Sequence, residues 1–373
     1  MSELGGVRVG LVLGSSTGGI GQHVAALVRG LRARGASVAV YGPAAANDLF
    51  GFTAAGARFA AVEIGPAPRP AADARALRAL RRHLLADAGG VHVLHAHGLR
   101  AGLLAGLLRP RPVPLVLTLH NMPPATHVRR ERLLAHVERW SVRRADVVLA
   151  ASADLAARAG ALGAADVRFA PVAAPTLPSP THSPSEVRAE LAAGRRPLLL
   201  AVGRLHPQKG YDVLIEAATS WAAREPPPLV VIAGAGPEEA TLRAHIHAAD
   251  APVRLLGRRA DIADLLGAAD VVVLPSRWEA RALTAQEALR AGAPLVATAV
   301  GGLPDLLGDA AVLVPPGDPN ALAGAVAGLL DHPATARALA ERGRLQAASW
   351  PDEEAMLGQL AGLYRQLTPG QDP

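Results

Sequence analysis

Short apolar runs alternate with amphipathic stretches along the first half of the chain, a pattern typical of strands followed by helices. The apolar runs predict strands at Val7–Leu13, Ser37–Tyr41, Val91–His95, Leu115–Leu119 and Val147–Ala150. Between the first two runs, apolar residues at helical spacing predict a helix over Gly21–Arg34. Strands that alternate with helices indicate a parallel sheet with helices on both faces.

A proline-rich segment, residues 171–194, interrupts this alternation. Proline at that density favours neither a helix nor a central strand, so the segment is interpreted as a linker. Beyond it, apolar runs predict strands at Pro197–Val202, Leu229–Ala233, Val253–Leu256, Val271–Leu274 and Leu295–Thr298. The sequence therefore predicts two doubly wound α/β domains, residues 1–170 and 195–350, and a final helix within residues 351–373.

The composition is that of a folded protein, with 50% hydrophobic and 19% charged residues. No apolar run reaches the roughly 18 residues that a membrane span needs, and the first residues predict a strand instead of a signal peptide. The chain has no cysteine, which excludes disulfides and a thiolate nucleophile. Together these features predict a cytoplasmic protein.

The chain is basic, with a formal charge of +6 and a pI near 10.7. Such a charge suits an anionic partner, but aromatic residues make up only 3%, too few for base-stacking surfaces, and arginines are spread throughout the sequence. We therefore expect no nucleic-acid partner. Among the 38 Lys and Arg residues, the only lysine is Lys209, which suggests a need for a compact ammonium at that position.

Two loops of the second half suit a diphosphate. The segment from Gly203 to Gly210 follows a predicted strand and carries Arg204 and Lys209 in a turn. Positioned cations of this kind stabilise the charge that a diphosphate leaving group gains in the transition state. The second loop, Gly234-Ala235-Gly236-Pro237, follows the next strand, and its glycines allow close approach of a ligand.

A third segment carries two glutamates, Glu279 and Glu287. Glu279 is predicted in the loop after Val271–Leu274, and Glu287 about one turn into the next helix. The start of that helix, at Leu283 and Thr284, offers backbone amides and a positive dipole end that favour phosphate. Glu287 is then placed to accept hydrogen bonds from ribose hydroxyls, and Glu279 from hydroxyls of a donor sugar.

In order and spacing, these segments resemble the retaining glycosyltransferases of family 4, which have the GT-B fold. Gly203–Gly210 resembles the family's G-R-L-x-x-x-K-G motif, Gly234–Pro237 its G-x-G-P turn, and Glu279 and Glu287 its paired glutamates. In the first half, the segment beginning Gly18-Gly19-Ile20-Gly21 resembles the family's first loop, whose glycine approaches the donor phosphate. The segments around His95–His97 and His120 match two further positions.

The resemblance implies two Rossmann-like domains that face each other across a cleft, with the acceptor on the first domain and the nucleotide sugar on the second. It also implies that the final helix crosses back to the first domain. The donor, a UDP- or GDP-sugar, is expected to be held by Gly19, Arg204, Lys209, Gly234, Glu279, Leu283, Thr284 and Glu287. The catalytic residues are expected to be His120, Arg204, Lys209 and Glu279, with His120 binding or polarising the donor sugar.

The family transfers sugars with retention and without a metal, and the chain has no Asp-x-Asp triplet. We therefore expect no cofactor and no metal at the donor site. His95 and His97 share one face of a strand, but we find no third ligand beside them in the sequence and expect structural or cleft-lining roles.

One departure concerns the residues after Glu279. The family usually has glycines there, whereas this chain has Ala280, Arg281 and Ala282. The extra Cβ atoms and the charge of Arg281 bear on which donor sugar is accepted. Because of these residues, a non-catalytic protein that binds nucleotide sugars remains an alternative.

Two enzyme classes with related folds are alternatives. A nicotinamide oxidoreductase needs a third glycine, where Val24 stands, and an acidic residue after the second strand, where the sequence is Tyr41-Gly42-Pro43. The sequence does not favour that class, which would also leave the second-half segments unexplained. A nucleotide-sugar epimerase of the same general fold remains an alternative.

A basic helix is predicted over Ala72–Ala86, with Arg75, Arg78 and Arg82 on one side and leucines on the other. Such a helix can lie on an anionic membrane surface at the inner membrane, as in some family members. An ordinary surface helix with its leucines in the core is the interpretation we favour. The acceptor is not identified by any sequence feature.

Overall fold

The computed structural model describes residues 3–16, 18–86, 90–108, 112–122 and 128–370, with the side chains of 128–133 left aside. The outermost residues of the predicted terminal segments, 1–2 and 371–373, lie outside the described residues. The chain divides into two compact units: Met1–Ala173 with Pro351–Pro373, and Ala174–Trp350.

The first unit is built on a parallel sheet of seven strands in the order β3-β2-β1-β4-β5-β6-β7. Its strands are β1 Arg8–Leu13, β2 Ser37–Gly42, β3 Arg58–Ala61, β4 Val93–His97, β5 Leu115–Leu119, β6 Val147–Ala150 and β7 Val167–Phe169. Its helices are α1 Gly19–Ala33, α2 Ala44–Phe50, α3 Pro70–Ala86, α4 Leu99–Leu108, α5 Val128–Arg144 and α6 Ala153–Leu162, together with α15 Glu353–Leu367 from the far end of the sequence.

The second unit is built on a parallel sheet of six strands in the order β10-β9-β8-β11-β12-β13. Its strands are β8 Leu198–Val202, β9 Leu229–Ala233, β10 Val253–Gly257, β11 Val271–Leu274, β12 Leu295–Thr298 and β13 Val312–Val314. Its helices are α7 Pro184–Glu190, α8 Tyr211–Thr219, α9 Glu239–Ala248, α10 Ile262–Ala268, α11 Leu283–Ala291, α12 Leu303–Leu307, α13 Pro319–Asp331 and α14 Pro333–Ala348.

The central strands of both sheets are buried along nearly their whole length, as their continuous apolar runs require. Helices cover the sheets, so each unit is a doubly wound α/β domain. The predicted fold class, two Rossmann-like domains, is therefore confirmed.

Helix α7 departs from the sequence interpretation of residues 171–194, which predicted no helix there. Pro184 occupies the first turn, where a missing N–H costs nothing. Ser183 caps the helix by accepting a hydrogen bond from the backbone N–H of Glu186, and the Glu186 carboxylate accepts one from the backbone N–H of Ser183. A capping box thus starts a helix inside a proline-rich segment.

Helix α15 packs into the core of the first unit. Met356, Leu357, Leu360 and Tyr364 are buried in the same apolar cluster as Val24 and Leu27 of α1. The fit against α1 is tight, because a Cβ on Gly30 would lie 2.2 Å from a methyl carbon of Leu357. The last described helix is therefore a structural part of the first unit.

Candidate functional site

The order of strands in the second unit reverses between β8 and β11, which are hydrogen-bonded neighbours. In open α/β sheets, ligands bind beyond the carboxyl ends of strands at such a point, because the two loops diverge there and leave a crevice. The loop after β8 carries Arg204 and Lys209, and the loop after β11 carries Glu279. The topology thus brings together candidate residues that are distant in sequence.

Lys209 and Glu279 are in direct contact at this point. The Lys209 ammonium donates a hydrogen bond to Glu279 Oε1 at 2.6 Å, and their side chains are only 20% and 9% exposed. An ammonium has three donors and a carboxylate about four acceptor positions, so this bond leaves both groups able to bind further partners. The pair offers a cation for a phosphate and an acceptor for a hydroxyl within one small volume.

Ser276 is a contributor that sequence reasoning missed. Its hydroxyl donates to the same Glu279 oxygen at 2.8 Å, and the residue is fully buried. A second hydroxyl, that of Thr298 at the end of β12, donates to the Ser276 carbonyl at 2.5 Å. The available signal was the position of Ser276, two residues after the end of β11 and three residues before Glu279. These bonds fix the orientation of the Glu279 carboxylate.

Two glycines hold the loops against one another. Gly210, with φ +64°, has no room for a side chain, because a Cβ would lie 2.0 Å from the Pro275 carbonyl oxygen. Gly301, with φ +53°, meets the Glu279 carbonyl in the same way, also at 2.0 Å. Both positions therefore require glycine for conformation and for space. The loops after β8, β11 and β12 close around Glu279 because these backbones touch.

Arg204 and Gly234 lie at the same edge of the sheet. Arg204 is exposed, which leaves its guanidinium accessible to a ligand. Gly234 follows β9, and a Cβ there would lie 1.8 Å from the carbonyl oxygen of Gly203. The predicted diphosphate loop and the predicted glycine turn are thus in backbone contact.

Helix α11 starts close to this edge with Leu283 and Thr284 in its first turn. Its first N–H groups have no partner within the helix, so they are suited to an anion. Glu287, in the second turn, is only partly exposed. Burial raises its pKa to about 7, although nearby Arg290 acts in the opposite direction.

The structure also shows the surroundings of the three residues after Glu279 that differ from the family pattern. Ala280 and Ala282 are buried, and the guanidinium carbon of Arg281 lies 5.7 Å from the ring centre of Trp350. Burial, with a smaller contribution from Arg290, lowers the pKa of Arg281 to about 10. Arg281 therefore stacks on an aromatic ring of its own unit, a contact that the sequence did not predict.

The remaining predicted residues, Gly19 and His120, belong to the first unit. Gly19 is the first residue of α1 and is exposed. His120 directly follows β5 and is 8% exposed. Their predicted roles in donor binding and catalysis stay predictions.

His120 is part of a cluster of three buried histidines, with His23 of α1 and His97 of β4. One ligand nitrogen from each ring lies within 4.8 Å of the other two, and His97 Nδ1 is 3.1 Å from His120 Nε2. The sequence-based expectation that no third ligand lies beside His97 is therefore wrong. It failed because the additional histidines come from elements far apart in the chain.

His95 lies next to this cluster but has its own partners. Its Nδ1 is hydrogen-bonded to the Tyr364 hydroxyl and its Nε2 to the Thr118 hydroxyl, both at 2.6 Å. Its ring centre is 4.2 Å from that of His97, as expected for two residues on one face of a strand. Burial lowers the pKa of His23 to about 4 and that of His95 to about 3, so both imidazoles are neutral near pH 7.

Helix α3 carries the predicted basic surface. Arg75, Arg78 and Arg82 are exposed, whereas Leu80 and Leu84 are buried. These leucines thus pack into the core, as in an ordinary surface helix. Within the described part of the chain, no helix combines the length and apolarity needed to cross a bilayer.

Two family models match the sequence. Residues 18–175 match the glycosyl transferase 4-like domain, and residues 183–346 match the glycosyl transferases group 1. Together the matched ranges include all eight residues predicted to bind the donor and all four predicted catalytic residues.

Curated relatives agree with these matches. D-inositol 3-phosphate glycosyltransferase 2 of Catenulispora acidiphila is 31% identical, over 68% of this chain and 66% of its own length. Glycogen synthase of Mycobacterium tuberculosis is also 31% identical, over 73% of this chain and 68% of its own length. The chain thus spans about two thirds of the length of these relatives.

Among solved structures, Anabaena HepE in complex with UDP-glucose is similar, with a TM-score of 0.80, 20% identity, and coverage of 96% of this chain and 99% of that one. This likeness concerns the fold. Taken with the family models and the relatives, it shows that the chain belongs to the group 1 glycosyl transferases, in family 4 of the glycosyltransferases with the GT-B fold.

Proposed function

We propose that this chain transfers a hexosyl group from a UDP- or GDP-sugar to a hydroxyl acceptor, with retention and without a metal at the diphosphate. The contact between Lys209 and Glu279, at the ends of β8 and β11, is the observation that carries the proposal. It puts a cation suited to a phosphate beside a carboxylate suited to sugar hydroxyls. Family membership supplies the reaction class.

The proposed leaving group is the nucleoside diphosphate. As the bond from the anomeric carbon to the phosphate oxygen breaks, negative charge builds on the diphosphate. Lys209 and the exposed Arg204 stabilise that charge, together with the amides at the start of α11. These groups take the place of a divalent cation, which is why we propose that no metal is needed there.

The anomeric configuration is retained if the acceptor attacks the donor sugar from the same face from which the diphosphate departs. The acceptor oxygen then bonds to the anomeric carbon, and its proton passes to the departing phosphate oxygen. Glu279, oriented by Ser276, binds hydroxyls of the donor sugar in this scheme, and Glu287 binds the ribose. No covalent intermediate with the protein is required.

The nucleotide can be tested first by thermal unfolding with UDP- and GDP-sugars in magnesium-free buffer containing a chelator. A ligand that binds the native state raises the melting temperature according to its concentration and Kd. UDP-sugars come first, since a solved structural neighbour binds UDP-glucose. We expect Lys209→Ala to weaken binding roughly ten- to a hundredfold, because it removes a charge-assisted hydrogen bond.

Arg243→Ala is the matched control, since Arg243 is an exposed cation on α9 whose bonds are to Glu239 of the same helix. It should bind nucleotide like the wild type. Equal shifts in Lys209→Ala and the wild type, or no shift with any nucleotide sugar, would contradict the donor site. Binding without nucleotide release in the presence of varied acceptors would favour the non-catalytic alternative, and conversion of the donor alone would favour an epimerase.

We further propose a peripheral contact between an anionic bilayer and α3. Arg75, Arg78 and Arg82 are exposed there, and the neighbouring Leu85 is 74% exposed. Together they present charge and apolar surface on one helix, as interfacial helices do. Sedimentation with anionic vesicles should recover the wild type more fully than Arg78→Glu/Arg82→Glu, and equal recovery would refute the contact. A cytoplasmic location stays a prediction.

A further inference from the structure

The histidine cluster of the first unit has the composition of a metal site. His23, His97 and His120 are each at most 8% exposed and come from three separate elements. Two of their ring nitrogens, His23 Nδ1 and His97 Nε2, are buried and have no hydrogen-bond partner among the described residues. A buried polar atom without a partner destabilises a fold, so a ligand for His23 Nδ1 would stabilise this one.

The spacing of the rings fits a single bound ion. Two imidazole nitrogens at about 2.0–2.1 Å from a tetrahedral metal lie roughly 3.3 Å apart. The His97 Nδ1 to His120 Nε2 distance is 3.1 Å, close to that value. These two nitrogens and His23 Nδ1, which has no hydrogen-bond partner among the described residues, are therefore the candidate ligand atoms, whereas His97 Nε2 is not one of them. All three ligand nitrogens lie within 4.8 Å of one another, so their separations exceed that value by at most about 1.5 Å.

Neighbouring residues pack against the rings, and one of the three rings borders a cavity. His95, held by Tyr364 and Thr118, packs beside His97 and restricts its ring. A cavity of about 80 Å³ is lined by His23 together with His95, Met356 and Leu360. Of the three candidate ligands, His23 thus borders open space within the first unit.

We propose that His23, His97 and His120 bind one divalent transition-metal ion of the Zn²⁺ class and leave a fourth coordination position open. Imidazole ligands select Zn²⁺, Co²⁺ or Ni²⁺ over Mg²⁺ and Ca²⁺, which prefer oxygen. A site with three protein ligands keeps a place for water or an anion. Its ligands belong to the first unit, whereas the lysine and arginine proposed to hold the diphosphate belong to the second.

Metal binding bears on the proposed transferase through His120. A metal-bound His120 nitrogen is no longer available to a sugar hydroxyl, so the ion should inhibit transfer. This consequence rests on the proposed function, whereas binding of the ion does not. The experiment below therefore measures metal binding without donor or acceptor, so that its failure is distinct from a failure of the proposed function.

Untagged protein is titrated with Co²⁺, followed by visible absorption, and with Zn²⁺ in competition with a chromogenic chelator. We expect one ion per chain and an intense Co²⁺ band, which signals coordination by few ligands in a tetrahedral arrangement. His23→Gln and His97→Gln should each weaken Zn²⁺ binding at least about a hundredfold, since even the loss of an outer partner of a ligand costs 10–100-fold.

His247→Ala, an exposed histidine on α9, is the control and should bind Zn²⁺ like the wild type. Weak Co²⁺ absorption in the wild type, or Zn²⁺ affinity equal in the wild type and His97→Gln, would overturn the proposal and point to adventitious binding at surface histidines. Since buried variants can fail to fold, the wild-type Co²⁺ spectrum decides the question independently of them.

Discussion

At the scale of single residues, neighbouring strands bring into contact groups that the sequence separates widely. Lys209 and Glu279 could be named from the sequence, because each stands in a loop with a recognisable pattern. Ser276 could not, since a serine after a strand has many possible partners and only the fold selects Glu279. The histidine cluster was missed for the same reason, because His23, His97 and His120 meet only once β4 and β5 pair beside α1.

Glu287 gives a pH-dependent prediction. Its pKa is raised from 4.5 to about 7 by burial, so the folded state holds its proton more tightly than the unfolded state. This residue therefore stabilises the fold below about pH 4.5 relative to pH 7, and the contribution is lost as the pH rises between these values. The loss is at most about 3 kcal/mol.

Glu287→Gln should remove that pH dependence, which thermal unfolding between pH 4.5 and pH 8 can measure against the wild type. Glu216→Gln, at an exposed position on α8, is the control and should follow the wild-type curve. If Glu287→Gln also follows the wild-type curve, the burial of the Glu287 carboxyl does not affect the stability of the fold.

At the scale of elements, the prediction from sequence worked best where an element is long and buried. The central strands of both sheets were located to within about two residues, because their apolar runs are continuous. In the first unit, three short elements were missed, namely α2, β3 and β7. The strands β3 and β7 lie at the two edges of the first sheet and are only partly buried, so they lack an apolar run.

The loops between elements give a second prediction, at Gly210. Gly210→Ala puts a Cβ into the Pro275 carbonyl oxygen, so the loops after β8 and β11 must separate. Gly257→Ala is a matched control, because its φ of +71° is similar to the +64° of Gly210 but no atom lies within 4 Å of the added Cβ. Conformational strain alone costs about 1 kcal/mol at either position.

We expect Gly210→Ala to be the less stable of the two by a few kcal/mol and to lose stabilisation by nucleotide, since overpacking adds about 1–3 kcal/mol. Melting temperatures with and without nucleotide report both effects. If Gly210→Ala and Gly257→Ala have equal melting temperatures and equal shifts with nucleotide, the loop can move away from Pro275 without loss of stability or binding.

At the scale of the whole molecule, the two units differ in how the sequence builds them. The second unit is one continuous stretch, Ala174–Trp350, whereas the first combines Met1–Ala173 with Pro351–Pro373. The pattern of strands and helices was enough to recognise two α/β domains. It carried no sign of which unit the last helix joins, and only the resemblance to the family supplied that expectation.

The contribution of α15 can be measured at Leu357, which is 4% exposed and packs against α1. Leu357→Ala should lower the free energy of unfolding of the first unit by about 2–5 kcal/mol, through lost burial and the cavity left behind. Leu345→Ala on α14 is the control, since that leucine is 71% exposed and its removal should change stability by less than about 0.5 kcal/mol. Similar denaturation midpoints for the two variants would mean that α15 adds little to the first unit.

The separation of α15 from the rest of the first unit also sets an order of events during synthesis. A ribosome makes the chain from the first residue onward, so β1 to β7 emerge long before the helix that completes their core. All of residues 174–350 are made in between, and they form a compact unit of their own. The unit that is encoded second can therefore reach its native state first, while the unit that is encoded first stays incomplete until α15 has been made.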